Sequence, residues 1–165
     1  RIDTAGRPAK GNPQPGSATV ASGLHSPGGL CNSADGRTSW VTDRASDADT
    51  LYRLGDSGKL GTPAWRWSNR IGVAGCAAFS DSVLVAGATA GNVQSLTLNS
   101  DGSFSGAPRV TMRGANGYGR IDGVDIIGDV GALVGTVNKA GGKPVSSDDR
   151  VVVIVPQGGA GGGRD

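Results

Sequence analysis

Three stretches of this chain repeat one another at a spacing of 46 to 48 residues, and that period restricts the fold more than any other feature. Each stretch opens on a glycine followed by apolar residues, reaches an aspartate, and continues into an apolar run. The first is Gly29-Leu30-Cys31, Asp35 and Trp40-Val41-Thr42. The second is Gly75-Cys76-Ala77, Asp81 and Val83-Leu84-Val85, and the third is Gly123-Val124-Asp125, Asp129 and Ala132-Leu133-Val134. The glycines and the aspartates keep the same two spacings, so two independent markers carry the period.

Each unit adds a third apolar run, at residues 51–54, 93–98 and 151–155. In the first two units an Asx/Gly turn follows, Asp56-Ser57-Gly58 and Ser100-Asp101-Gly102, of the kind that closes hairpins. A fourth short strand is expected near residues 64–67 and 109–112. At the N-terminus, residues 2–6 match the end of a third strand and its turn, and Thr19-Val20-Ala21 matches a fourth strand. Four short antiparallel strands recurring every ~40–50 residues are the pattern of β-propeller blades. A parallel β-helix, the other Gly-rich repeat, has much shorter turns. The expected architecture is all-β: two full four-stranded blades plus two partial blades, about half of a six-bladed β-propeller. Residues 1–157 form one domain, and 158–165 a flexible Gly-rich tail. A propeller removes its sheet edges by closing the ring, so the missing strands are expected from an N-terminal half of the same protein.

Composition narrows the function. With 30 glycines in 165 residues the chain resembles a disordered polypeptide in bulk, but its apolar residues are gathered into β-branched runs such as Val151-Val152-Val153-Ile154-Val155. The 16 basic and 14 acidic residues leave a net charge of +2, without a basic run interleaved with aromatics, so nucleic acid is not an expected partner. No apolar run approaches the ~20 residues of a membrane span. One histidine, two cysteines and no CxxC argue against a Cys/His zinc site. Cys31 and Cys76 form a disulfide if the protein is exported; otherwise they are two small buried residues. The lone His25 has no Gly-x-Ser-x-Gly partner for triad hydrolysis.

Four segments, in order, resemble the C-terminal half of the soluble glucose/sorbosone dehydrogenases. Arg1-Ile2-Asp3 with Gly6, Pro8, Asn12 and Pro13 is similar to the segment that leads to the family's Arg-Asn-Pro-Gln-Gly motif, which corresponds here to His25-Ser26-Pro27-Gly28-Gly29. Trp67-Ser68-Asn69-Arg70-Ile71, running to Gly75, is similar to Trp…Ile-Ala-Pro-Ser-Gly. Tyr118-Gly119-Arg120-Ile121-Asp122-Gly123-Val124 is similar to Gly-Arg-Ile-Arg-Asp-Val, and residues 149–156 to the closing Asp-Arg-Ile…Ile-Val-Pro. The resemblance covers nearly the whole chain. It implies a six-bladed propeller that oxidises aldoses with pyrroloquinoline quinone (PQQ) and calcium, a base taking the hydroxyl proton while hydride passes to the quinone. The Gly-rich, aromatic-poor style is most similar to a mycobacterial lipoprotein of this class. That implies export to the cell envelope, with membrane attachment only through a lipid anchor outside this chain.

Several family positions are replaced. The Arg, Asn and Gln of the first motif are His25, Ser26 and Gly28; the Glu-His-Gly-Pro of the calcium loop is Asp43-Arg44-Ala45-Ser46; and the second Arg of the third motif is Asp122, while Arg120 is retained. PQQ carries three carboxylates, and Arg to Asp turns attraction into repulsion. The family's catalytic His lies in the N-terminal half. Two readings follow: a propeller degenerate at the cofactor site that binds a sugar or cell-wall ligand, or an active PQQ- and calcium-dependent sugar dehydrogenase.

His25, Arg70, Arg120 and Asp122 all fall at the start of an inner strand, so all four are expected at one mouth of the channel. Arg120 faces a ligand or pairs with Asp122; His25 is a base or a hydrogen-bonded channel residue; Arg70 binds an anion or is solvated. Trp67 stacks on a sugar ring or packs between blades. Asp43, Asp47 and Asp49 have the spacing of oxygen ligands for calcium, or form a solvated acidic loop.

Overall fold

In the computed structural model, residues 1–55, 57–113, 118–128 and 131–155 are described. Asp56, Asp129, Pro156 and the glycine tail lie outside them. Among the described residues eleven strands form three antiparallel sheets. The first contains β1 (Pro27–Asn32), β2 (Ser39–Arg44), β3 (Asp49–Leu54) and β4 (Trp65–Trp67). The second contains β5 (Val73–Ala78), β6 (Ser82–Gly87), β7 (Asn92–Leu98) and β8 (Phe104–Arg113). The third contains β9 (Ile121–Ile127), β10 (Gly131–Thr136) and β11 (Val151–Ile154). Within each sheet the strands pair in chain order. These are two complete blades and three strands of a third, and the fold is that of a partial β-propeller.

Period-two alternation explains how the blades stack. In the middle blade Val73, Cys76, Val83 and Val85 join Trp40, Leu51 and Trp67 in one core. Their neighbours Ala74, Ala77, Leu84 and Ala86 join Ile121, Val124, Ala132 and Val134 in a second. Adjacent residues point to opposite faces of a strand, so β5 and β6 supply one layer to each side. That is why the two strands carry a polar side chain only at Ser82, the first residue of β6. In β11 alternation leaves one face open: Val151 and Val153 are exposed, while Val152 and Ile154 pack inward.

The repeat glycines mark where inner strands meet. A Cβ on Gly29 would stand 2.6 Å from the Ala74 carbonyl oxygen and 2.7 Å from Gly75 Cα. One on Gly75 would stand 2.9 Å from both the Asp122 oxygen and the Val124 nitrogen. Backbone lies against backbone at both junctions, so only glycine fits. Around Gly123 the nearest atom to such a Cβ is 3.9 Å away, in its own blade. Cys31 and Cys76, on these inner strands, are joined in a disulfide that ties the first two blades together.

The N-terminal expectation is corrected. Residues 1–26 form no strand; their one ladder contact is an isolated bridge between Ile2 and Pro8. A strand exists only on a partner, and neither residues 2–6 nor Thr19-Val20-Ala21 meets a sheet edge among the described residues. The second blade's outer strand also runs longer than expected, from Phe104, because the turn at 99–103 is closed by an Asn99–Ser103 pairing.

Candidate functional site

The lead-ins to β1, β5 and β9 lie at one end of the blades, together with the β2–β3, β6–β7 and β10–β11 connections, because strand direction alternates within each sheet. Two of these lead-ins are pinned by a buried aspartate and the third by a buried asparagine. Asp43, fully buried, accepts the backbone N–H groups of His25 (3.0 Å) and Ser26 (2.7 Å). Asp49, also fully buried, accepts those of Gly72 (2.5 Å) and Val73 (3.3 Å). Asn138 accepts the Arg120 N–H at 2.6 Å and donates to the Tyr118 carbonyl at 2.7 Å. These caps satisfy backbone donors that otherwise have no ladder partner, and so fix where the following side chain points.

A bulge follows each cap. In β1 Pro27 pairs with Asp43 and Gly29 with Thr42, which leaves Gly28 as the extra residue. In β9 Ile121 pairs with Thr136 and Gly123 with Gly135, which leaves Asp122 extra. The β5–β6 pairing slips between Val73 and Cys76, and the Ala74 carbonyl freed there accepts the Thr42 hydroxyl at 2.6 Å. Bulges re-aim side chains. Asp122 is exposed at this point, and it is the one charged residue among the three bulged segments.

The expected site residues share this end without forming one cluster. The exposed His25 ring has Nδ1 3.4 Å from Asp43 Oδ2. Arg70 donates to the carbonyls of Ala45 (2.7 Å) and Ser46 (2.9 Å) and lies 3.7 Å from Asp49. Arg120 lines a depression of about 370 Å³ with Thr89, Asn138 and Lys143, and its Nε is buried with no hydrogen-bond partner among the described residues. No hydrogen bond or ion pair joins His25, Arg70 and Arg120 to one another, or Arg120 to Asp122, among the described residues.

Of the two readings of Trp67 the structure takes the packing one: it is buried between the first two blades and donates its indole N–H to Gln94 at 2.8 Å. The calcium candidates are corrected. The trio Asp43, Asp47 and Asp49 does not converge on a cation. Two of them are backbone caps, and Asp47 pairs with Arg66 at 2.9 Å; the Arg66 hydrogen bond holds its carboxyl below the usual carboxylate range. Among the described residues no group of three His, Cys, Asp or Glu side chains is placed to hold a metal ion. Sequence reasoning missed Asn138 and the capping roles of Asp43 and Asp49. The signal available was positional: each polar residue flanks the turn that begins or ends an apolar strand.

Several solved structures share the fold. A PQQ-bound aldose sugar dehydrogenase from Streptomyces coelicolor superposes with a TM-score of 0.81 at 24% identity, over 92% of this chain and 49% of its own. An oxidoreductase described as a glucose dehydrogenase, from Thermus thermophilus, gives 0.76 at 22%, over 87% and 50%. A further glucose dehydrogenase gives 0.70 at 22%, over 82% and 46%. The chain spans about half the length of the structures it matches. No protein-family model matches the sequence, and no curated protein matches it.

Proposed function

We propose that this chain is the C-terminal half of a propeller of the glucose/sorbosone dehydrogenase type that has lost the cofactor's binding groups and works as a ligand-binding lipoprotein of the cell envelope. The observation that carries the reading is Asp122. Its carboxylate stands exposed on the β9 bulge, two residues from Arg120, with no ion pair to neutralise it among the described residues. Arg70 is turned onto two carbonyls and Asp49, while the Arg120 side chain makes no hydrogen bond or ion pair among the described residues. One available arginine beside an unpaired carboxylate does not fit a tricarboxylate such as PQQ. The dispersed aspartates do not fit calcium, which takes six to eight oxygens. Residues with this arrangement suit a sugar or cell-wall ligand of low charge.

The other half of the ring is proposed as the partner. No strand of another blade lies against Gly123 among the described residues, and Leu30 on the opposite side of the chain is 65% exposed. A half-propeller supplied N-terminally in the same protein would cover both faces. Export agrees with the Cys31–Cys76 disulfide, which persists in oxidising compartments. The lipid anchor is proposed to lie outside this chain, so cell fractionation of the intact protein should recover it with membranes.

A second reading, an active PQQ- and calcium-dependent aldose dehydrogenase, is favoured by the PQQ-bound state of the Streptomyces structure. One titration separates the two. PQQ and calcium are added to the intact protein, with thermal unfolding and dye-linked aldose oxidation as readouts. A bound cofactor at a hundredfold excess over its Kd would stabilise by ~2.7 kcal/mol. Our reading expects no stabilisation and no turnover; both appearing together would replace it with the second.

A further inference from the structure

A cleft of about 340 Å³ opens between the first two blades at the end opposite the mouth. The β1–β2 turn walls one side of it, and the β5–β6 and β7–β8 turns wall the other. Both contributing blades are complete, so the cleft does not depend on what closes the ring. Its volume lies at the small end of ligand sites, ~300–1,000 Å³.

We propose that this cleft is a second binding site, for a neutral sugar ring. The polar groups that line it are only partly used by the protein. Arg53 makes one long hydrogen bond, 3.5 Å to the Asp101 carbonyl, and no other among the described residues. Asp101 spends Oδ1 on the N–H and hydroxyl of Ser103, both in its own turn, and leaves Oδ2 free. Asp35 likewise spends Oδ1 on Ser33 and the Arg37 N–H, with Oδ2 3.8 Å from Arg37. The Ser33 hydrogen bond on Asp35 and the Ser103 hydrogen bond on Asp101 hold both carboxyls below the usual range, so both are ionised at neutral pH. Ser80 adds a hydroxyl, and Phe79 and Leu98 an apolar wall. Trp40 also lines the cleft, and its buried indole N–H has no acceptor among the described residues.

Fixed acceptors, a fork of donors and an apolar surface in one small cleft match a pyranose, whose hydroxyls each donate and accept and whose C–H face is apolar. Asp35 stands beside Arg37 and Asp101 beside Arg53, so the charges at the cleft balance and suit a neutral ligand. The site is separate from the mouth, so it stands whether or not the ligand reading of Arg120 holds.

The test is an amide and indole NMR titration of the intact protein with D-glucose, repeated for Arg53→Ala, Asp101→Asn and Arg120→Ala. We expect shifts at Ser80, at residues 99–102 and at the Trp40 indole. Affinity read from the cleft resonances alone should weaken about tenfold in the Arg53 and Asp101 variants, since each removes a charge-assisted hydrogen bond, and that cleft affinity should be the same in Arg120→Ala, whatever happens at the mouth. Shifts confined to residues 25, 70 and 120, or unchanged affinity in the Arg53 and Asp101 variants, would overturn the proposal. So would an absence of shifts in this cleft up to roughly 0.1 M glucose, well above the millimolar range expected for a ligand of about a dozen heavy atoms.

Discussion

Gly75→Ala isolates what holds neighbouring blades together. Gly75 carries no left-handed φ, so the substitution adds no backbone strain and changes only the space available. The new methyl would stand 2.9 Å from the Asp122 oxygen, 2.9 Å from the Val124 nitrogen and 3.1 Å from Gly123 Cα. Gly123 and Val124 are paired in the β9–β10 ladder and Asp122 sits on the bulge between Ile121 and Gly123, so all three are backbone atoms that cannot rotate aside as a side chain would. The inner strands must separate by several tenths of an ångström, which loosens the alanine-rich core behind them, Ala74, Ala77 and Ala132. Overpacking of this kind costs about 1–3 kcal/mol. In a domain of a few hundred residues that lowers Tm by roughly 2–10 °C. The assay is denaturant unfolding of the intact protein, with the m-value checked for constancy. Gly29→Ala meets closer atoms and should cost at least as much. Gly123→Ala is the diagnostic companion. Nothing among the described residues opposes its methyl, so a loss in the intact protein comparable to that of Gly75→Ala would report an inner strand of the proposed other half lying against it. A loss below about 0.5 kcal/mol for Gly75→Ala would refute the close-approach account of the repeat glycines, being no more than an ordinary surface substitution costs.

Three further outcomes follow from the same geometry. Replacing Cys31 and Cys76 together by Ser opens a 45-residue loop, and loop-closure entropy puts the loss near ~4 kcal/mol, measured by chemical denaturation under oxidising conditions. Asn138→Ala uncaps the Arg120 N–H and should destabilise by about 1–3 kcal/mol, with faster hydrogen exchange at Gly119 and Arg120; exchange unchanged at those amides would contradict the capping role. The Asp148 carboxyl is held below its usual range, chiefly by the Val145 N–H and in part by Arg150. A depressed folded-state value stabilises above the unfolded value near pH ~4, and that contribution is lost as pH falls through the folded value. Asp148→Asn should therefore flatten the acid limb of the stability–pH curve, and an unchanged limb would assign acid sensitivity elsewhere.

Blade architecture was legible because it rests on local signals repeated in register. Gly29 and Gly75 exist for contacts their sequence spacing already encodes, and the apolar runs of β5 and β6 are what a sheet buried on both faces requires. The N-terminal strands failed for the opposite reason: Thr19-Val20-Ala21 has strand chemistry, but a strand is a property of two segments, and no second segment meets it among the described residues. Trp67 shows a different limit. An aromatic on a short outer strand has the same sequence signature whether it faces solvent or the neighbouring blade, and its hydrogen bond to Gln94 spans 27 residues that no local pattern links. The calcium trio failed because spacing does not give direction. Asp43 lies near the end of β2 and Asp49 begins β3, so the two flank a turn, yet each turns to the backbone lead-in of a different blade.

The mouth chemistry follows from that last point. The lead-ins to β1, β5 and β9 are built alike, each with a polar cap and a shift in register just after it, whatever side chains they carry. The scaffold therefore needs Asp43, Asp49 and Asn138 as caps. It also needs Gly28, where a Cβ would stand 2.9 Å from the Val73 carbonyl oxygen. It does not need Asp122 to be any particular residue, since that bulged side chain is exposed and outside the ladder. A binding group can be lost or exchanged there at little cost to stability. Asp122→Arg is thus expected to leave Tm within about 1 °C, because it touches neither core nor cap, while it adds a cation beside Arg120. If the cofactor reading fails only for want of that charge, Asp122→Arg should gain measurable affinity for PQQ where the parent has none. No gain, with the fold intact, would mean that the Arg120 depression was never shaped for a quinone, and that the altered lead-in at His25 matters at least as much.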